Sequence, residues 1–432
     1  MDKVSIKIGQ RIQKLRQEAG FSQEELANKA GVMYTTLTKI ESGVIKAPSF
    51  ATVAKIATTL GCSVDELIFG KKLSKSLIKF EASGTKVYIP KERYTIDLSL
   101  TENPHKFSSG VLKVIDKEKE NINHYPDPYH RDLRNVLSKK FGVSENKIIF
   151  GAGADGLIEN IVRILINPGE QVILPDLTFL NASFATVIAG GEPIFSKMTD
   201  DLHIDFEDIK KKTNKGTKMI FLCNPNNPTG LIEPKEKILD LVKSTDALVV
   251  VDEANIEFGG ESVIEHVNEF ENLIVIRTFS KAYGLAGMRI GYCVGNEELM
   301  YYIWRLRPPF VNTYLAQKAA LEALKDEEHI EQSKSYVAKE RKFLTDELSK
   351  LDFSVLPSEA NCMLVKITPL FKSSTTFIDL LHKNDCTVVD GKHFRGLGTD
   401  YIRVAPQLHS TNEKFIEIVS KLLKKPVGKK NL

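Results

Sequence analysis

The sequence predicts two folds in one chain: a small all-α module at the N-terminus and, behind it, a larger α/β body built on a mainly parallel sheet. Three observations predict this. The first seventy residues break into five short helical stretches punctuated by glycines. From about Tyr94 onward, short runs rich in valine and isoleucine alternate with helical stretches, the pattern of a sheet covered on both faces. The charge balance changes near the same boundary. Residues 1–72 carry 11 Lys+Arg against 7 Asp+Glu, whereas the remaining 360 carry 48 against 49.

Composition sets the outer limits. The chain has 432 residues, 42% of them apolar and 27% charged, which excludes a disordered or collagenous protein. No apolar run approaches the roughly 18–20 residues of a membrane span, and the start, Met1-Asp2-Lys3-Val4-Ser5-Ile6-Lys7, holds no apolar signal core, so no membrane partner is expected. Five cysteines (Cys62, Cys223, Cys293, Cys362, Cys386) are scattered with no CxxC pair. Neither a metal site nor a disulfide framework is expected, and a reducing cytoplasm fits best.

In the first module, Ile8, Ile12 and Leu15 have helical spacing and Gly20 stops their helix. Ser22-Gln23-Glu24-Glu25 reads as a capping box opening a second helix, closed by Gly31. Met33–Glu41 follows, ended by Ser42-Gly43, and then Ser49–Leu60 and Ser63–Phe69. Two short helices joined by a glycine turn, the second rich in small polar residues, is the pattern of a helix-turn-helix. The runs QEELANKAGVMYTTLTKIESG and SFATVAKIATTLGCSVDELI resemble the lambda-repressor-like (Xre) family over about 65 residues. That resemblance implies double-stranded DNA as a partner. Tyr34, Thr35, Thr38 and Lys39 would face base edges or phosphates, and Gln23 the backbone. A net of only +4 suggests modest non-specific affinity, so dimerisation is expected to tighten binding. Residues 71–95, with mixed lysines, serines, a glycine and a proline, read as a linker with one strand at Lys86–Ile89.

In the body, the strands read as Gln171–Leu174, Lys218–Cys223, Ala247–Val251, Leu273–Thr278 and Met288–Val294, with helices such as Leu157–Ile166, Asn181–Ala189 and Pro234–Lys243 between many of them. Ligands in such sheets sit at strand carboxyl ends. There the chain places Gly151-Ala152-Gly153-Ala154-Asp155-Gly156, Thr178-Phe179, Asn224–Gly230, Asp252-Glu253, and the run Arg277–Arg289 with its lysine and hydroxyls. A plain strand-to-helix turn explains the first of these equally well. An amine, a carboxylate and phosphate-binding groups together are what pyridoxal phosphate requires: the amine for its aldehyde, the acid for its ring nitrogen, and hydroxyls, amides and an arginine for its phosphate.

NPNNPTG, VVDEA and SKAYGLAGMRIGY, with 25 residues from Asn227 to Asp252 and 29 from Asp252 to Lys281, resemble the fold-type-I aminotransferases. YPDP (Tyr125–Pro128) and GADG narrow the likeness to the histidinol-phosphate aminotransferase group, over about residues 96–423. The resemblance implies a mainly parallel seven-stranded sheet in a large domain of about 120–308, with a small α+β domain from 96–119 and 309–432. It implies Lys281 as Schiff-base lysine and proton shuttle, Asp252 on the pyridinium, Asn227 on the ring oxygen and Phe179 stacked on the ring. The phosphate would be held by the Ala154 and Asp155 amides, Thr278 or Ser280, and Arg289. Tyr125 would reach the cofactor phosphate of the neighbouring subunit, so a homodimer is implied. Asn103 and Arg403 would bind the substrate, an amino acid or keto acid.

Three departures matter. The tyrosine that the family writes after Asp-Glu-Ala is Asn255 here, the usual NPYG is Asn103-Pro104-His105-Lys106, and Ala405-Pro406-Gln407 follows Arg403. Val389–Ala405 instead resembles the threonine-phosphate decarboxylase branch. Three functions are therefore expected in competition: an aminotransferase that also regulates transcription, a decarboxylase of an O-phospho amino acid, and a non-catalytic sensor of cofactor or amino acid.

Overall fold

A computed structural model of the chain describes residues 2–69 and 92–424. Most of the expected linker, with its strand at 86–89, lies outside the described residues, as do residues 425–432. The chain forms two compact units, one carrying residues 2–69 and the other 92–424.

The first unit has the five expected helices: α1 (Asp2–Glu18), α2 (Gln23–Ala30), α3 (Tyr34–Glu41), α4 (Phe50–Thr59) and α5 (Val64–Phe69). The capping box forms as read. Glu25 N–H donates to Ser22 Oγ at 3.1 Å, and Ser22 N–H to Glu25 Oε2 at 2.7 Å. Gly31, at φ 60°, closes α2 in the left-handed region. Ile12, Leu26, Leu37, Ile40, Val53, Ile56 and Leu67 make the core. Glycine is needed at position 9, where a Cβ would lie 2.1 Å from the Ile40 carbonyl oxygen. Beside this core Arg16 donates twice to Glu41, at 2.8 and 3.0 Å.

In the second unit, β1 (Ile96–Asp97) is followed by seven strands of one sheet: β2 (Ile148–Gly151), β3 (Gln171–Pro175), β4 (Glu192–Ser196), β5 (Thr217–Cys223), β6 (Leu248–Asp252), β7 (Leu273–Thr278) and β8 (Gly291–Val294). Their order is β2-β8-β7-β6-β5-β3-β4. Only β8 runs against its neighbours. Successive strand residues point to opposite faces, which explains the unbroken apolar runs. Ile220, Leu222, Val249 and Val251 pack with Leu137, Ile238 and Ala320 on one side. Phe221, Val250, Ile274 and Ile276 pack with Leu157, Ile161 and Ile303 on the other.

Two boundaries differ from the sequence reading. β8 begins at Gly291, because Ala286–Met288 forms a 3-10 turn and Arg289 takes φ 52°. The helix expected from Leu157 already starts at Gly153.

The rest of the unit holds β9 (Ser354–Val355), β10 (Met363–Lys366), β11 (Cys386–Thr387), β12 (Val389–Asp390) and β13 (Tyr401–Val404). Four of these form an antiparallel sheet in the order β12-β13-β10-β9, while β11 pairs in parallel with β1. They share a third core with Leu344, Phe377 and Phe415. Among the described residues no helix is long and apolar enough to cross a membrane.

Candidate active site

The carboxyl ends of β5, β6 and β7 open into a cavity of about 590 Å³. Its lining draws together most of the residues singled out in the body: Ala154, Asp155, Phe179, Asn227, Asp252, Thr278, Ser280, Lys281, Arg289 and Arg403.

One end is a cup for an anion. The helix Gly153–Leu165 begins there, so the amides of Ala154 and Asp155 lie in its first turn, where unpaired N–H groups and the helix dipole favour negative charge. The close approach depends on glycine: a Cβ at Gly153 would sit 2.9 Å from Arg289 Nη2, and one at Gly291 would sit 3.1 Å from Ala154 N. Arg289 is held by Asn312, whose amide donates to the carbonyls of Arg289 (3.0 Å) and Gly151 (2.9 Å). Its Nη2 lies 3.4 Å from Asp155 Oδ2, a loose pair on half-exposed side chains. At the end of β7, Thr278 donates to Ser280 Oγ at 3.0 Å, which sets both hydroxyls side by side.

Deeper in, Asp252 ends β6 and is 3% exposed. Burial pushes its carboxyl up to about 7, even though the Ala254 N–H donates to it at 3.0 Å. Lys281 follows the Thr278–Ser280 corner. Burial, with Arg403 as the next cause, pulls its amine down to about 8. The amine donates to the carbonyl oxygen of Thr101 at 2.8 Å and to the Thr101 hydroxyl. Arg403 donates to Asn227 Oδ1 at 3.0 Å and to the Ser99 carbonyl at 2.6 Å. Asn227, its oxygen so engaged, lines the cavity. Asn226 anchors the same turn, accepting from Thr178 (2.9 Å) and donating to the Leu177 carbonyl (3.0 Å). Asn255 also lines the cavity, and its buried Oδ1 has no hydrogen-bond partner among the described residues.

Asn103, expected at the site, stands away from this cavity, as does Tyr125, which was expected at the neighbouring subunit's site. Asn103 spends its amide on the Ala282 carbonyl (2.8 Å) and Ser333 Oγ (3.0 Å), and its oxygen on His105 N–H (2.9 Å). It ties the chain down behind the lysine and does not line the cavity. Tyr125 is 80% exposed and stacks on Phe310 at 4.4 Å. Thr101 and Cys223, both on the cavity wall, were not singled out from the sequence. Neither carries a motif, and Thr101 meets Lys281 across 180 positions.

In the first unit, Tyr34, Thr35 and Lys39 are exposed on α3, and Thr38 is half-buried with its hydroxyl donating to the Thr35 carbonyl at 3.1 Å. Gln23 is half-buried at the start of α2. Its amide donates to Glu41 Oε2 at 2.8 Å, so its NH2 group completes the Arg16–Glu41 pair.

Residues 95–422 match the family described as aminotransferase class I and II, and residues 12–67 match helix-turn-helix. The histidinol-phosphate aminotransferase of Methanococcus aeolicus is 37% identical, over 76% of this chain and 90% of its own length. Among solved structures, the histidinol-phosphate aminotransferase of Sinorhizobium meliloti in complex with pyridoxal-5'-phosphate superposes with a TM-score of 0.74 at 22% identity, over 82% of this chain and 98% of that one. The L-threonine-O-3-phosphate decarboxylase of Porphyromonas gingivalis superposes at 0.68 with 24% identity, over 76% of this chain and all of that one.

Proposed function

The chain belongs to the class I and II aminotransferases, a pyridoxal-phosphate-dependent family, and on that premise we propose that it moves an amino group between an amino acid and a keto acid or phosphate-bearing ketone, and also binds DNA as a transcription regulator. The observation that carries this reading is the convergence of Lys281, Asp252 and the anion cup on one cavity. The residues present suit the cofactor. Asp252 is a buried acid that regains its charge beside a cation, Asn255 Oδ1 is a buried acceptor without a partner among the described residues, and the cup at Gly153 leaves room that a Cβ would fill.

Bound pyridoxal phosphate would supply an aldehyde and an electron-withdrawing ring. In this reading Lys281 provides the amine that meets the aldehyde, and the same nitrogen later carries a proton at the substrate α-carbon. Asp252 keeps the ring nitrogen protonated. Asn227 donates to the ring oxygen, Phe179 covers the ring face, and the amides of Ala154 and Asp155, the hydroxyls of Thr278 and Ser280, and Arg289 hold the phosphate. Arg403, already oriented by Asn227 and Ser99, takes the substrate's carboxylate or phosphate.

The division into residues 1–70, a linker of 71–95 and a body from 96 is part of this reading, supported by the two compact units. So is a homodimer. Exposed aromatics gather in two short segments, Tyr125 on Phe310 at 4.4 Å and Tyr129 on Trp304 at 5.2 Å, beside exposed Tyr301, Tyr302 and Leu306. Five free cysteines suit the cytoplasm.

The test is direct. Protein mixed with pyridoxal phosphate should gain a visible absorbance band that borohydride fixes as added mass on the peptide bearing Lys281. Amino acids supplied singly should then yield keto acid. A band with no turnover would shift the reading to a sensor, which Asn255 favours, and released carbon dioxide would shift it to a decarboxylase. A colourless, unmodified protein would remove the reading.

A further inference from the structure

The contact between Lys281 and Thr101 has no place in the cofactor-holding set. The amine donates to two oxygens of a single residue, the Thr101 carbonyl at 2.8 Å and the Thr101 hydroxyl. An ammonium has three N–H donors, whereas a neutral amine has two and a lone pair. Two acceptors converging on one nitrogen therefore favour its charged form.

Thr101 is also held firmly. Asn361, fully buried, donates to the same carbonyl at 2.8 Å. The three carbonyls before it are engaged as well: Leu98 by Ala405 N–H at 2.9 Å, Ser99 by Arg403 at 2.6 Å, and Leu100 by Gln407 at 3.1 Å. A segment bonded at four consecutive carbonyls presents its last hydroxyl in a fixed place, which is the requirement for a preorganised contact.

We propose that Thr101 is the seat of the Lys281 amine whenever that amine is not bonded to the cofactor, keeping it in reach of the substrate α-carbon and stabilising the ammonium that it becomes on taking the α-proton. The proposal rests on the cofactor reading above. Thr101 touches the reacting nitrogen and is a catalytic residue in that sense. Its own hydroxyl proton stays in place; the proton that moves is the one on Nζ. The other groups facing this nitrogen come from several elements. Arg403 on β13 disfavours its charge, and Asp155, Asp252 and the Cys362 thiol favour it, with the Cys223 thiol also near. Burial pulls the amine down to about 8. The two Thr101 oxygens on Nζ stabilise the ammonium against that pull.

The full-length protein, freed of cofactor, is mixed with pyridoxal phosphate over a range of pH, and the rate at which the visible band appears is recorded. Only the neutral amine reacts, so the rate rises with pH through the lysine pKa. Thr101→Val keeps the shape and the backbone carbonyl and removes the hydroxyl acceptor. Its profile should shift down by about one pH unit, which makes the reaction about fivefold faster at pH 7 and about tenfold faster at pH 6 and below, and should merge with the wild type at high pH. Thr101→Ser should restore the wild-type profile. Thr101→Ala is expected to shift the same way and serves if the valine variant melts early. Superimposable profiles for wild type and both hydroxyl-free variants would overturn the proposal. Absence of any band in the wild type would remove the cofactor reading itself.

Discussion

Asp252 shows how much one side chain can reveal about a missing partner. Its carboxyl is raised from 3.8 to about 7 chiefly by burial. The folded chain therefore holds a proton that the unfolded chain has released between these values, and stability falls as pH rises through that window. Asp252→Asn removes this penalty. In cofactor-free protein the variant should melt above the wild type at about pH 8 and level with it near pH 4, by calorimetry. Added pyridoxal phosphate should reverse the order at the higher pH, because only the carboxylate pairs with a protonated ring nitrogen. An unchanged order would deny Asp252 that pairing. The residue was legible in sequence because it directly follows a valine run. Thr101 was not, because nothing local marks a threonine whose partner lies 180 positions away.

At the scale of elements, the five-helix unit depends on one buried pair. Arg16 and Glu41 are each 8% exposed, and Gln23 completes the site. Glu41→Ala leaves the guanidinium buried without its acid, a change worth about 3 kcal/mol or more, which is a large part of the stability of so small a unit. Circular dichroism should show early loss of helix, and DNA binding should fail, while the Lys281 band of the body survives. Helices α1 to α5 were readable from apolar spacing, glycine stops and the Ser22 capping box, all of which are local. The bond from Gln23 to Glu41 was not readable, because that acid stands eighteen positions on. The start of β8 was missed for a similar reason: the apolar run from Met288 continues through an arginine whose φ of 52° breaks the strand.

The whole molecule joins a basic module to a nearly neutral body, each with its own core. Binding by the module should be salt-sensitive and localised on α3. Lys39→Ala should weaken DNA binding to all duplexes alike and reduce the slope of log affinity against log salt by about 1 for each module bound, since a phosphate contact is lost. Its cofactor band should match the wild type. A slope unchanged by this substitution would take Lys39 off the phosphate backbone.

The sequence by itself determined the two-fold plan of the chain, the strand-and-helix alternation of the body and the motifs that follow its strands, because periodicity, capping and strand-end chemistry are encoded within a few residues. Only the tertiary structure decided which of those groups share a cavity, that Asn103 is spent on backbone and Ser333 contacts, and that Lys281 meets Thr101. Such pairings arise when distant segments pack and their polar atoms must find partners away from water, a constraint that local sequence patterns do not express.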